Sequence, residues 1–266
     1  MRPVHLGLDS IPIPRVDAPS PEVFVRDYVR RSRPVVIRGA IDDWPALERW
    51  TPQGLVEAFP GRSLPSIPVR DGNAVFDPNT GIDYAPVDLA NYVRDVEAGT
   101  AGRYVVFRVH EHLPELMNDI RTPRYLERAR WRRSRFWFAP RDVGGVLHRD
   151  LPHNLYAQVQ GRKRWMLVSR REFTRVYPYP PWSGVPNYCR ASVEAPDRDR
   201  FPRLQGVTVH DTTLAPGELL YIPSLWWHQA RSVDTSISIN LWWVRRRLLP
   251  LVRMAEAFMA IRQLRL

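Results

Sequence analysis

The stretch HRDLPHNLYAQVQGRKRWMLV, residues 148–168, decides the fold. It reads as two short apolar-rich strands, 154–159 and 164–168, separated at Gly161 and preceded by His148-Arg149-Asp150. On a strand, residues i and i+2 point the same way, so His148 and Asp150 can converge on one ion. Two histidines and a carboxylate on one face of iron(II) leave positions for a bidentate cosubstrate and dioxygen. A lone His-x-Asp is a common chance pattern, so the surrounding chain has to supply the rest.

Working outward, further short strands are expected at 33–38, 104–107, 135–138, 206–212, 218–222 and 235–243, separated by Pro, Gly and Asp turns. Many short strands of this kind point to a sandwich or jelly roll. The segment from Pro216 to His228 reads as a turn, a buried strand, a proline stop at Pro223, the pair Trp226-Trp227 and a histidine. His228 is the candidate second histidine of the site.

Helices are expected around this β region. Ser20 and Pro21 can open one over 21–31, with Val23, Phe24 and Tyr28 at helical spacing. Thr51-Pro52 starts another, 86–98 ends before Gly99, and 111–130 reads as mostly helical with a break at Pro123. Residues 1–20 read as an extended proline-rich arm. The expected organisation is an arm and helix over 1–32, the main domain over 33–243, and an amphipathic, arginine-rich helix over 244–266 that packs on the domain or pairs two copies.

Composition bounds the function. With 44% hydrophobic residues the chain is not disordered. No apolar run approaches the roughly 18 residues of a membrane span. One cysteine, Cys189, permits no disulfide framework within these residues and fits a reducing compartment. With no continuous apolar run in the first 19 residues, the expectation is a cytoplasmic protein. The net charge of +11 suits an anionic partner but equally an arginine-rich solvated surface.

Among 39 basic residues a single one, Lys163, is lysine. Where arginine replaces lysine almost everywhere, the survivor is expected where a wide guanidinium fork cannot serve, such as a tight pocket for one carboxylate.

The residues then resemble a known family, the jumonji-C-type cupin 2-oxoglutarate oxygenases, and within it the asparaginyl hydroxylases. The resemblance runs over residues 33–243. It rests on Pro34 to Gly39 with Trp44-Pro45, His148-x-Asp150 through Lys163-Arg164, Tyr177-Pro-Tyr-Pro180, Arg200-Phe-Pro202, Leu220-Tyr-Ile-Pro223, Trp226-Trp-His228 and Asn240-Leu-Trp242. It implies a mainly β fold with flanking helices, a double-stranded β-helix or jelly roll. It implies iron(II) held by His148, Asp150 and His228, with 2-oxoglutarate as cosubstrate, dioxygen as oxidant and succinate as product. Lys163 matches the residue that pairs with the distal carboxylate of 2-oxoglutarate. Asn154, Asn240 and, more loosely, Tyr104 match residues of the cosubstrate pocket.

Two positions depart from the family pattern. Where a Thr or Ser commonly stands three residues before the first ligand there is Gly145, so Lys163 needs another hydroxyl partner, with Tyr104 the candidate. The loop Asn187-Tyr-Cys-Arg190 lacks the glutamine that holds a target amide in asparaginyl hydroxylases.

The expected function is hydroxylation of a protein or peptide side chain. The alternatives are hydroxylation of a modified tRNA nucleoside or a small natural product, or a non-catalytic binding cupin. Nothing in the sequence suggests a methyl-lysine cage. Other candidates weigh less: His110-Glu-His112 reads as a solvent-facing helix start, His153 as a support or a surface residue, and Cys189 as a candidate reactive thiol with only Arg190 nearby to lower its pKa. One tryptophan of each pair, 226/227 and 242/243, is expected to face the cleft by alternation.

Overall fold

The structure, a computed structural model, describes residues 8–77, 81–126 and 132–244, with 249, 250 and 254. Its strands are β1 (Ser10–Pro12), β2 (Arg15–Asp17), β3 (Val35–Arg38), β4 (Ser63–Arg70), β5 (Asn73–Ala74), β6 (Ala85–Asp88), β7 (Arg103–Arg108) and β8 (Arg132–Ala139). They continue with β9 (His148–Arg149), β10 (His153–Gln160), β11 (Lys163–Val168), β12 (Val209–Leu214), β13 (Leu219–Ile222), β14 (Trp227–Ser232) and β15 (Ser236–Trp243).

Among the described residues these strands form two sheets. The smaller runs β1-β12-β11-β14-β9, and the larger runs β2-β3-β13-β10-β15-β8-β7-β4-β5 with β6 on β4. Two facing sheets, with consecutive strands β10 to β15 distributed between them, make the jelly-roll arrangement expected of the sequence.

Side-chain alternation explains what each face does. In β10, Leu155, Ala157 and Val159 join the largest apolar cluster on the outer face of the larger sheet, while Asn154, Tyr156 and Gln158 face inward. In β15, Ile237, Ile239, Leu241 and Trp243 point outward and leave Ser238, Asn240 and Trp242 inside. In β11, Met166 and Val168 belong to an outer cluster, whereas Lys163, Trp165 and Leu167 look into the space between the sheets. The inner faces therefore carry the polar residues. The helices cover the outer apolar face, burying Phe24, Trp50, Leu55 and Tyr92 against it.

The helix starts follow local chemistry. Ser20 accepts from the Val23 amide at 3.3 Å to open α1 (Pro21–Phe24), which continues as a wider turn over Val25–Val29. After α2 (Ala46–Arg49), α3 (Pro52–Ala58) is capped by Thr51. Asp88 caps α4 (Leu89–Ala98), which ends on Gly99 at φ 71°. α5 (Val109–His112) follows β7 directly.

Several expectations are corrected. Residues 85–88 form a strand on β4, so the helix expected over 86–98 begins at Leu89. Instead of one helix, 111–126 holds the end of α5 and 3-10 turns at Pro114–Asp119 and Arg124–Leu126, because Pro114 and Pro123 interrupt the backbone ladder. The N-terminal arm is stitched down: β1 runs parallel to β12 and β2 parallel to β3, one on each sheet. The expected helix over 244–266 falls almost entirely outside the described residues. Among the described residues no helix is long and apolar enough to cross a membrane.

Candidate active site between the sheets

The turn joining β10 to β11 sets the depth of the site. Gln158 Nε2 donates to the carbonyls of Gln160 (2.7 Å) and Gly161 (3.0 Å), and Gly161 sits at φ +66° against the backbone of Thr235. This turn starts β11 at Lys163 with its side chain aimed inward.

The ammonium of Lys163 is buried, at 2% exposure, and donates to the hydroxyls of Tyr156 (2.8 Å) and Tyr104 (3.3 Å). Tyr156 in turn bonds the Ser238 hydroxyl. Among the described residues no carboxylate pairs with Lys163. Burial without a counter-charge pulls its pKa from 10.5 down to about 7. Burial also pushes the phenols of Tyr104 and Tyr156 up, so both remain protonated. A dehydrated ammonium beside two hydroxyls, with no anion of its own, is a receptor for one.

The three candidate metal ligands meet at the other end. His148 on β9 lies directly opposite His228 on β14, with ring centroids 4.2 Å apart. His148 Nδ1 donates to the Val146 carbonyl at 2.8 Å, and His228 Nδ1 to the Trp226 carbonyl at 2.9 Å. With Nδ1 tied to a backbone carbonyl in each ring, it is Nε2 that each ring turns toward the shared space. Asp150 Oδ2 stands 3.6 Å from His228 Nε2 and accepts from the Trp242 indole at 3.2 Å. One ligand atom from each of the three residues lies within 4.8 Å of the others.

The ionisation states suit a cation. Burial, then the neighbouring His228, lowers His148 to about 4. Burial alone would raise Asp150, but the hydrogen bond and charge of His228, with smaller contributions from His148 and Arg135, bring it to about 2. At neutral pH the cluster therefore presents a neutral imidazole at His148 and a carboxylate at Asp150.

The segment between the ligands is held as a unit. Leu225, at φ 64°, donates its amide to the Asp150 carbonyl at 2.8 Å just before the strand that carries His228. A left-handed leucine is strained, and this bond ties it to the backbone of Asp150. His153 is buried here, accepting from the Ser224 amide at 3.3 Å, next to Tyr221, so it braces this turn and does not lie at the surface.

One cavity of about 680 Å³ joins both ends. Its lining includes every residue singled out from the sequence for the site: Tyr104, His148, Asp150, Asn154, Lys163, His228 and Asn240. Asn240 Nδ2 donates to Asn154 Oδ1 at 3.3 Å, and its Oδ1 accepts from the Trp137 indole at 2.9 Å. Phe76, Tyr84, Val185 and Tyr188 add apolar wall, with Tyr188 stacked on His148 at 5.2 Å.

Other expectations fare differently. Trp242 lines the cavity as alternation suggested, but neither Trp226 nor Trp227 does. Trp226 bonds Ser32 through its indole, and Trp227 packs in the outer cluster of the smaller sheet. His110 and His112 are exposed on the single-turn α5, which starts at the buried Val109, although His112 reaches the cavity lining. Cys189 is buried, and burial raises its thiol pKa, which keeps it unreactive. Sequence reasoning missed Arg135, Trp137, Tyr156 and Tyr188. Only Tyr156 carried a signal, standing two residues after Asn154 on the same strand face.

These donors fit a divalent iron. Two imidazole nitrogens and one carboxylate, with an open cavity on the remaining side, match the facial donor set of non-haem iron(II) sites. The buried, anion-free Lys163 fits the far carboxylate of a dicarboxylate spanning the cavity.

Comparison with known proteins agrees with this architecture. A family model described as a cupin-like domain matches residues 20–247. Lysine-specific demethylase 8 of Xenopus tropicalis is 32% identical over 237 residues, covering 87% of this chain and 52% of that protein. Lysine-specific demethylase JMJ30 of Arabidopsis thaliana is 29% identical over 230 residues, 84% of this chain and 52% of that protein. The tRNA wybutosine-synthesizing protein 5 of Gallus gallus is 25% identical over 254 residues, 88% of this chain and 77% of that protein. The chain spans about half the length of the two demethylases. With the match reaching from the first helix past the last strand of the larger sheet, this chain belongs to the cupin-like domain family.

Proposed function

We propose that this chain is an iron(II)- and 2-oxoglutarate-dependent oxygenase that hydroxylates a protein or peptide side chain. The observation that carries the reading is the pairing, in one cavity, of the His148, Asp150 and His228 cluster with the uncompensated ammonium of Lys163. His148 Nε2, His228 Nε2 and an Asp150 oxygen would hold the iron. With 2-oxoglutarate bound, the metal supplies the oxidising chemistry: dioxygen is split between succinate, formed with loss of carbon dioxide, and one hydroxyl on the substrate.

The chain's own residues do the rest. Lys163 receives the distal carboxylate, with the Tyr104 hydroxyl beside it in the place of the hydroxyl that Gly145 lacks. Tyr156 and Ser238 fix the ammonium in position. Asn154 and Asn240 offer polar contacts along the cosubstrate, and Trp165 and Trp137 wall it from water. Trp242 orients the Asp150 carboxylate.

The relative named for wybutosine synthesis supports a second reading, a tRNA nucleoside as substrate. The relatives named demethylases support a third, since hydroxylation of an N-methyl carbon releases the methyl group as formaldehyde. Succinate release measured with peptide pools, methyl-lysine peptides and tRNA decides among them: the proposal expects stimulation by unmethylated peptides, and stimulation by tRNA alone overturns it. Pairing of two copies through residues 244–266 is part of this reading. A chain ending at Val244 is then expected to elute at half the size, and an unchanged size rejects that pairing.

A further inference from the structure

Arg135 stands on β8 with its side chain on the cavity wall, opposite Asn240 of β15 and Arg108 of β7 in the register. Its guanidinium lies over the Trp242 ring, 5.3 Å from the centroid, and that indole is the one bonded to Asp150. Arg108, across the strand, is paired with Glu111 at 2.8 Å. Arg135 has no hydrogen bond and no ion pair among the described residues, although it is only partly exposed. A cation with a fixed fork of donors, partly removed from water and unpaired, is costly unless something completes it.

What completes it is not the cosubstrate. Under the reading above, the distal carboxylate of 2-oxoglutarate goes to Lys163 and its other end to the metal. Arg135 is therefore left facing the substrate. A guanidinium fork matches a carboxylate with two parallel hydrogen bonds. It also already occupies a face of Trp242, one of the aromatic surfaces near the ligands that a methylammonium would need. Because the fork sits within the cavity wall, a slim side chain reaches it more readily than a nucleic-acid backbone, which tracks surface grooves.

We propose that Arg135 is a specificity-determining residue that receives the carboxylate of an acidic peptide side chain and rejects a cationic one such as a methylated lysine. The inference rests on the oxygenase reading, and its test separates the two. The full chain is loaded with Mn(II) and 2-oxoglutarate without dioxygen, and loading is measured by calorimetry. Capped peptide pools with a fixed central glutamate, glutamine or trimethyllysine are then titrated by ligand-observed NMR. The glutamate pool is expected to bind at least about tenfold tighter than the trimethyllysine pool. With Mn(II) and 2-oxoglutarate held at saturating concentration for each variant, Arg135→Gln is expected to erase that preference and Arg135→Glu to reverse it. Failure to load overturns both readings. Normal loading with no binding of the glutamate pool, or with the same ranking in Arg135→Gln, overturns this inference alone. A loss of 2-oxoglutarate binding in Arg135→Gln also overturns it, because Arg135 would then serve the cosubstrate.

Discussion

His148 and His228 face each other across the β9–β14 pair, and each ring is tied through Nδ1 to the carbonyl two residues before it, Val146 and Trp226. The two strands thus present the same local device twice, and their register brings the free nitrogens to one place. The placement of both rings is fixed by backbone, not by side-chain freedom. Replacing either histidine by alanine is expected to weaken iron(II) binding by more than about a hundredfold. Competition against a chromophoric chelator measures this, and wild-type affinity in either variant would reject their role as ligands.

With the pKa of Lys163 lowered to about 7 by burial, the proposed function predicts pH-dependent cosubstrate binding. Below pH 7 the ammonium is already charged and affinity for a dicarboxylate is flat. Above it, binding must draw a proton from buffer, so affinity falls with rising pH until the pKa of the bound state. Folding without ligand shows the opposite sense: the unfolded chain holds more protons between about 7 and 10.5, so this residue's contribution makes stability rise with pH there. Calorimetry in buffers of different ionisation heat at pH 8 is expected to report proton uptake; none would show that Lys163 is already charged.

Gly145 leaves room where a hydroxyl is missing. A Cβ there meets only the Ala230 carbonyl, at 4.0 Å, and the backbone is not in the left-handed region. Gly145→Ser is therefore expected to be tolerated and to lower the KM for 2-oxoglutarate by about three- to tenfold through one added hydrogen bond. An unchanged KM would place Gly145 away from the distal carboxylate.

Gly161 is the opposite case. At φ +66°, a Cβ would run into the Thr235 carbonyl in the turn that starts β11. Gly161→Ala is expected to cost at least about 2 kcal/mol, read as a lower denaturation midpoint, and to weaken 2-oxoglutarate binding by displacing Lys163. A variant as stable as the parent would contradict the turn geometry.

Strands with β-branched or alternating apolar residues, such as Val35–Arg38 and Ser236–Trp243, were legible because their pattern matches burial on one or both faces. Ser63–Arg70 was not, since Pro65 and Pro68 disguise a strand that pairs with β6 and β7. For β9 and β14 the sequence suggested extended chain at the histidines, but neither their bounds nor their pairing with each other could be read from it. Lys163 stood out because it is the sole lysine. Its partner Tyr156 and the wall residue Arg135 did not, because their meaning depends on which strands become neighbours. Trp226 and Trp227 misled for a related reason: alternation says the two point to opposite faces, but not that both faces are apolar core.

The most direct test of the central claim is the fate of dioxygen labelled with heavy oxygen. The chain is incubated with iron(II) and 2-oxoglutarate, and the succinate formed is examined by mass spectrometry. The account predicts succinate carrying one labelled oxygen atom, absent without iron and lost in His148→Ala and Lys163→Ala. Unlabelled succinate, or none from a chain that binds both iron and 2-oxoglutarate, would contradict it.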